Sequence, residues 1–573
     1  MKVPGLKVPT LRVPTRRDLH LAAPLVIAAP AVAQLLLMIY TMLARWSYPY
    51  DLEWMEGGML QHVARLAHGQ GIYVPPSIEF IPFLYTPLYP ALLAALSPIA
   101  GVSYQVGRTI SILATLGSVV MMFVALVPRV QQADRRLAWV GGGLAVGLFA
   151  AAYPWFGGWY DIVRGDSLFL FMTLGGLTAA VAWARAGTGW TGHGRIAIAA
   201  GVLALSFFCK QTGIFFVAAG GGIIAALNWR RLPVFVGVAG AIGLGGKWLL
   251  DRSSDGWFST YALSVHQTHD CNDDRFWKGF GQMLWHFPAM TVVIAVGLGT
   301  LLAAVIVRKR LPRSATPLLV WSGVFVVALI TGAVGIATMW SVNNAYIPAI
   351  ATGAIAAGAA LPSLAGSLAL LVAGSPRRLL VRLPTALPLL AGAALSAQLL
   401  ADWWSPARLI PTDKDRERGA ALVAEIRAID GEVFVPWHPW YAHLAGKKVY
   451  THRMGVLDMR YKPPMHAQHQ CWFHDTSGMD NWEVDGVPAA FRDGRFAAIF
   501  WDSGDRDHRF FDGLARTEHN YRLDDKLPDK ARPRLFTGAR DTLPDDILVP
   551  ARRQPPPPGA HVLWGFENDS FEG

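Results

Sequence analysis

The sequence predicts an α-helical polytopic membrane protein of about eleven transmembrane helices, followed by a small C-terminal extracytoplasmic α/β domain. Two observations carry that expectation. Of 573 residues, 53% are hydrophobic and only 16% charged, against roughly a quarter charged in a soluble domain. The apolar residues are also gathered into stretches long enough to cross a hydrocarbon layer about 30 Å thick. The net charge of +11 does not point to nucleic acid. Arg and Lys gather instead in short loops, at Arg129/Arg135/Arg136, Arg230/Arg231, Arg308/Lys309/Arg310/Arg313 and Arg377/Arg378, as in loops retained on the cytoplasmic side.

Residues 1–18 read as a basic cytoplasmic segment, with Pro4, Pro9 and Pro14. Leu19 to about Ala44 is too long for a signal-peptide core and is expected to stay as an anchor. The transmembrane part is expected over 19–402, with an external loop at 46–83. Two apolar stretches then compete, Phe83–Ala100 and Thr109–Leu126. The first contains Pro87, Pro90 and Pro98, and proline removes a backbone donor and disrupts the preceding turn. It is expected to dip in or lie along the surface, because a span there would put Arg129–Arg136 outside and separate Asp166 from Asp51. Later runs alternate, at 168–183, 196–208, 214–227, 232–250, 287–307, 318–339, 347–372 and 384–400, so that every strongly basic loop falls on one side.

After Trp403 the composition turns to Asp, Arg, Pro and His, and residues 403–573 are expected as an extracytoplasmic domain. Asp415–Ile429 fits an amphipathic helix through Leu422, Val423, Ile426 and Ile429. Glu432–Pro436 and Phe496–Trp501 fit strands, and Arg540–Val549 could supply an edge. Gln554–Gly559 reads as an extended surface segment. Of the three cysteines, Cys209 ends an apolar run. Cys271 and Cys471 lie too far apart in sequence to form a pairing signature, which leaves their disulfide open.

Chemistry concentrates at helix ends. In YPYDLEWMEGG, a helix beginning near Leu52 would put Glu53 and Glu56 on one face with Asp51 as its cap. It would lie along the membrane surface through Met59, Leu60, Val63 and Leu66, presenting Gln61, His62 and Arg65 outward. The acids could simply cap and solubilise that helix. Trp46, Tyr48, Tyr50 and Trp54 instead suggest carboxylates held at headgroup level, where shielding raises proton affinity toward that of a base. In WYDIVRGDSLFLF, Asp161 and Asp166 bracket Arg164, either as a neutralised cap or as a site. In FFCKQTG, Lys210 is a snorkelling lysine or a phosphate contact beside the amide of Gln211. His266, His269, Asp270, Asp273 and Asp274 leave a divalent cation open without indicating one, since the spacing is unlike a zinc site. No metal site and no cofactor is expected. His438 and His443 have no recognisable catalytic partner, and no nucleotide fingerprint is present. The triple glycines at Gly141 and Gly220 fit close helix packing.

The order of these motifs (an external acid after the first span, then HGQGIY, FLYTPLYPALLAAL, RGDSLFLF and KQTG) resembles the polytopic lipid-dependent glycosyltransferases of the GT-C superfamily. That superfamily includes protein O-mannosyltransferases and the bacterial aminoarabinose and galacturonic acid transferases acting on lipopolysaccharide. The resemblance covers roughly Tyr48–Thr212 in motifs and Leu19–Leu400 in layout. It implies a multi-pass protein of the bacterial inner membrane and an inverting transfer on the extracytoplasmic side. The donor would be a polyprenyl-phosphate sugar, and the acceptor a hydroxyl of an envelope glycan, lipid or protein. Asp51 would match the base, Asp166 an acid before a later span, and Lys210 a cation near the donor phosphate. Leu52 separates Asp51 from Glu53, where the commoner pattern has adjacent acids, so either could be the base. Gln211, Arg164, Glu56 and Tyr85 would contact substrate. A transporter or flippase for a lipid-linked saccharide is the main alternative, and a scaffold for envelope assembly a second.

Overall fold

The computed structural model describes residues 16–127, 135–269, 271–338, 341–376, 380–460, 471, 484, 486–502, 521–538 and 543–551. The basic segment before Arg16, Arg129, Asp270, Arg377, Arg378 and Gln554–Gly559 lie outside them. Helices dominate: α1 (Arg16–Trp46), α2 (Glu56–Ala67), α3 (Leu88–Ala100), α4 (Tyr104–Leu126), α5 (Arg135–Ala151), α6 (Asp166–Trp183), α7 (Gly189–Phe207), α8 (Gly213–Asn228) and α9 (Leu232–Ser253). After a single turn, α10 (Trp257–Ser259), come α11 (Asp273–His286), α12 (Pro288–Arg308), α13 (Ala315–Ala337), α14 (Ile347–Val372) and α15 (Leu383–Ala401).

Among the described residues, eight segments are long and apolar enough to cross a membrane. One of them, Gly213–Ser253, has 41 residues and folds back on itself as α8 and α9 around Trp229–Arg231. Counting those two separately and adding α5 and α7 gives eleven helices running from one end of the bundle to the other. The basic turns share one end. Arg231 donates to the carbonyls of Trp183, Ala186 and Gly187, and Arg308 to those of Leu371 and Ala373. The proline-rich stretch does not span. With 13 residues α3 reaches only about 20 Å, and both its termini lie at the opposite end. There Leu88 N–H bonds to Phe208 O, and the Tyr104 hydroxyl just after α3 meets Asp51. Close packing places α14 at the centre, against α5, α12, α13 and α15. Gly141 of α5 and Gly358 of α14 approach so closely that a Cβ on either would strike the other's carbonyl.

The tail builds α16 (Asp413–Ala428), β1 (Val433–Phe434), α17 (Pro439–Leu444), α18 (Arg453–Arg460), α19 (Val487–Arg492), β2 (Ala498–Trp501), β3 (Tyr521–Lys526) and β4 (Asp546–Pro550). Its sheet has the order β1-β2-β4-β3, parallel between β1 and β2 and antiparallel elsewhere. Alternation along the strands divides the side chains. Val433, Ala498 and Phe500 pack with Leu422 and Ile426 of α16. Phe434, Ile499 and Trp501 join a second core with Met59, Leu60, Ile81 and Phe83 of the first loop. The tail is therefore seated on that loop by apolar burial worth about 1.5–3 kcal/mol per large side chain. Cys271 and Cys471 are joined by a disulfide, their Cα atoms 5.5 Å apart, and nearby His269 bonds to Asp458 at 2.9 Å.

This seating corrects the expectation for α2. It is not a surface helix, because the tail covers it and Gln61, His62 and the residues from Glu56 to Val63 are buried. The helix also begins at Glu56 rather than Leu52, leaving Glu53 in a turn. Tyr48 and Trp54 are buried too. Tyr48 packs edge-on against Phe536, and Tyr50 stacks on Tyr441 of α17, so these rings serve the domain contact rather than a lipid belt.

A doubly bonded ion pair joins this loop to α4. Arg108 of α4 donates from Nε to Glu56 Oε1 at 3.1 Å and from Nη2 to Oε2 at 2.7 Å, with both side chains fully buried. Removing one partner strands the other charge. Glu56→Leu should lower unfolding stability by about 3–5 kcal/mol, while the double variant Glu56→Leu/Arg108→Met should recover much of that loss, as read by denaturation in detergent.

Candidate active site

The site grows from the chain between α1 and α2, where buried polar groups fix almost every backbone turn. At the end of α1, Arg45 grips Asp161 through two bonds, Nε to Oδ2 at 2.7 Å and Nη2 to Oδ1 at 2.6 Å. The same guanidinium reaches Gly158 O and, at 3.0 Å, the Thr537 hydroxyl of the tail. Gly158 has φ +73°, and a Cβ there would meet Arg45 Nη1 at 2.7 Å, so the turn needs glycine on both counts. Arg108 adds contacts to the carbonyls of Tyr48 and Tyr50. Leu52 is held from both sides, its N–H by Glu56 Oε2 at 2.7 Å and its carbonyl by the amides of Phe536 and Thr537.

The three acids of the loop then differ sharply. Glu56 accepts from Arg108, from Leu52 N–H and from Val163 N–H at 2.8 Å. Its oxygens are occupied, and it does not line the cleft described below. Asp51 is 1% exposed. Its Oδ1 accepts from Gly57 N–H at 2.9 Å and the Tyr104 hydroxyl at 2.7 Å, and its Oδ2 faces His438 Nδ1 at 2.8 Å. Burial raises its carboxyl pKa, opposed by the hydrogen bond and charge of His438. Glu53 is the sparsely held member. Its Oε2 accepts from Met55 N–H at 3.1 Å and lies 3.5 Å from Arg164 Nη1, while its Oε1 is buried without a hydrogen-bond partner among the described residues. Burial pushes its carboxyl up to about 7, against the pull of Arg164. A carboxylate whose proton affinity sits near neutrality suits general-base work.

Beside this acid lies a cleft lined by Tyr85, Thr86, Tyr89, Arg164, Asp166, Lys210 and Asn344, among others. Asp166 is the first residue of α6, where a helix N-terminus favours negative charge. Its Oδ1 accepts from Lys210 Nζ at 2.6 Å and Asn344 Nδ2 at 3.2 Å, and its Oδ2 from Trp159 Nε1 at 3.0 Å. Lys210 sits in the tight turn between α7 and α8, and its side chain is 22% exposed. An ammonium has three donors, which leaves it able to hold a second anion. Arg164 donates to the Tyr85 hydroxyl at 2.6 Å and lies over the Tyr85 and Trp159 rings. The cleft therefore presents two cations and a carboxylate at the end of the bundle, with Glu53 behind Arg164.

Of the residues singled out from sequence, Arg164, Asp166, Lys210 and Tyr85 come together here. Gln211 does not line the cleft; its amide ties the carbonyls of Leu84 and Ala262. Sequence reasoning missed Asn344, Tyr104 and Arg108. It also left His438 without a partner, and that is corrected, since the partner, Asp51, is 387 residues away. Of the His266–Asp274 cluster, Asp270 lies outside the described residues, and the His266 and His269 rings lie 5.6 Å apart. His266 reaches Leu84 O and His269 reaches Asp458, and among the described residues no three His, Cys, Asp or Glu side chains gather as a cation site.

No protein-family profile and no curated protein sequence matches the chain. Solved structures do. ArnT from Cupriavidus metallidurans bound to undecaprenyl phosphate superposes with a TM-score of 0.52 at 12% identity, over 90% of this chain and 97% of that one. Its apo state gives 0.51 at 12% identity, over 90% and 98%. The archaeal oligosaccharyltransferase AglB from Archaeoglobus fulgidus, in complex with an inhibitory peptide and a dolichol-phosphate, reaches only 0.42 at 13% identity, over 77% of this chain and 65% of that one. The helical bundle with its small C-terminal sheet domain thus has the fold of ArnT.

Proposed function

We propose that the protein transfers a glycosyl unit from a polyprenyl-phosphate-linked donor to an acceptor hydroxyl, with inversion, on the extracytoplasmic side of a membrane. The observation that carries this reading is the pairing, at one end of the bundle, of two cleft cations with a buried, under-bonded carboxylate. Lys210 and Arg164 suit a lipid-borne phosphate, and Glu53 suits a base. The fold shared with ArnT, solved with undecaprenyl phosphate, supports the choice of donor.

In this reading the acceptor oxygen attacks the anomeric carbon as its proton passes to Glu53. The new C–O bond forms as the bond to the phosphate oxygen breaks, and the departing phosphate's charge falls on Lys210 and Arg164. A single displacement inverts the centre and needs no covalent enzyme intermediate. Asp166 holds Lys210 in place through the 2.6 Å contact. Asp51, with every oxygen engaged, serves structure more than proton transfer. Two features support an extracytoplasmic cleft. The Cys271–Cys471 disulfide lies at the cleft end and requires an oxidising compartment, and the basic turns lie at the other end. A flippase would call for ionisable groups along the middle of several spans, whereas the charges described here cluster at the ends.

Purified protein in nanodiscs, assayed with a panel of labelled polyprenyl-phosphate sugars, tests this. Glu53→Gln should cut turnover by about 10²–10⁴-fold with the donor KM preserved, and full turnover in that variant refutes the base assignment. Because the Glu53 carboxyl is pushed up to about 7, wild-type turnover should fall as pH drops through that value, when the base becomes protonated. Lys210→Met should lower turnover by about 10²–10³-fold, which would show as loss of signal with every active donor. Orientation is read separately. Gln70→Cys should react with an impermeant maleimide in intact cells, and Arg310→Cys only after lysis; the reverse pattern excludes an outer-facing cleft.

A further inference from the structure

We infer that His438 is a positioning residue: through Asp51, this tail side chain fixes the turn that carries Glu53, so that the transfer site is completed by the C-terminal domain. The inference rests on the reading of Glu53 as base and adds a residue from a distant part of the chain. Its geometry is a chain of short contacts. His438 Nδ1 holds Asp51 Oδ2 at 2.8 Å, and Asp51 Oδ1 holds Gly57 N–H at 2.9 Å and the Tyr104 hydroxyl at 2.7 Å. Asp51 and Gly57 are the two ends of the turn, and Glu53 lies between them.

Few other contacts fix Glu53 itself. Its carboxylate has one backbone donor at 3.1 Å and an arginine at 3.5 Å, so its position depends on how firmly the turn is held, at Leu52 by Glu56 and the amides of Phe536 and Thr537 and at its two ends by Asp51. Both His438 and Asp51 are buried to 1%. Removing the imidazole would leave Asp51 Oδ2 in an apolar surround without that donor, a costly state that relaxes by rotation or protonation of the carboxyl. Either change weakens the bonds to Gly57 and Tyr104 that close the turn. Space is tight as well. A Cβ on Gly57 would meet Trp440 Cβ of α17 at 2.7 Å, so the helix that follows His438 presses directly on the turn's far end.

The contact through Nδ1 sets the test. A carboxamide nitrogen on Asn can take the Nδ1 position, whereas that of Gln falls nearer Nε2. Full-length His438→Ala, His438→Asn and His438→Gln in nanodiscs are compared by amide hydrogen exchange across residues 48–60 and by transfer from whichever panel donor is active. His438→Ala should speed exchange in that stretch by about 10–100-fold and lower kcat by a similar factor, with the donor KM unchanged. His438→Asn should restore most of both, and His438→Gln should not. Unchanged exchange in His438→Ala overturns the inference, as does unchanged kcat beside fast exchange, or equal behaviour of the Asn and Gln variants. Exchange reads the grip on the turn without substrate, whereas failure of the base assignment appears separately, as full turnover in Glu53→Gln.

Discussion

Burying carboxylates at one end of a membrane bundle is the constraint around which this molecule is arranged. An ionised group taken out of water costs several kcal/mol unless it is paired and hydrogen-bonded. Asp161, Glu56 and Asp51 meet that condition through Arg45, Arg108 and the His438–Tyr104–Gly57 set. Each pairing also joins separate parts of the chain: α1 to the turn before α6, the first loop to α4, and the same loop to the tail. Glu53 is the exception, with one buried oxygen unbonded among the described residues. A fold that satisfies those three acids, and Asp166 through Lys210, Asn344 and Trp159, while leaving Glu53 short of partners concentrates proton affinity beside a cationic cleft.

Much of this was legible in the sequence, for identifiable reasons. Long apolar runs and one-sided basic loops gave the helical bundle, because lipid demands internally bonded segments of fixed length. Proline content told α3 from a span. In the tail, α16, β1 and β2 followed from periodicity, and the cleft residues Arg164, Asp166 and Lys210 stood out as charged groups at the mouths of apolar segments, while Tyr85 came only with the resemblance. Other features depend on contacts far apart in sequence. The burial of α2 could not be read locally, since the tail that covers it lies nearly four hundred residues on, and its pattern of Met59, Leu60 and Val63 fits a lipid surface equally well. The same holds for Arg108, which reads as a stray cation in an apolar helix until Glu56 is placed against it. His438 was misjudged for this reason too.

The tail is not an appendage in this arrangement. Its sheet buries one face on α16 and the other on the first loop, and the stretch after β3 supplies the amides of Phe536 and Thr537 that hold Leu52. Fold comparison alone would record a C-terminal domain of common shape. What matters chemically is that it contacts the acids directly. It contributes Thr537 to Arg45 and His438 to Asp51, while its lines of contact leave the cleft between α6, α7 and α8 open.

The 387-residue gap between Asp51 and His438 also sets a timetable. Ribosomes add about 5–20 residues per second, so the first loop exists for roughly 20–80 s before its histidine is even translated. Throughout that interval the nascent protein holds its future acids without their final arrangement. The full set of contacts on these acids forms at once and late, when the tail has been made and has closed over the loop.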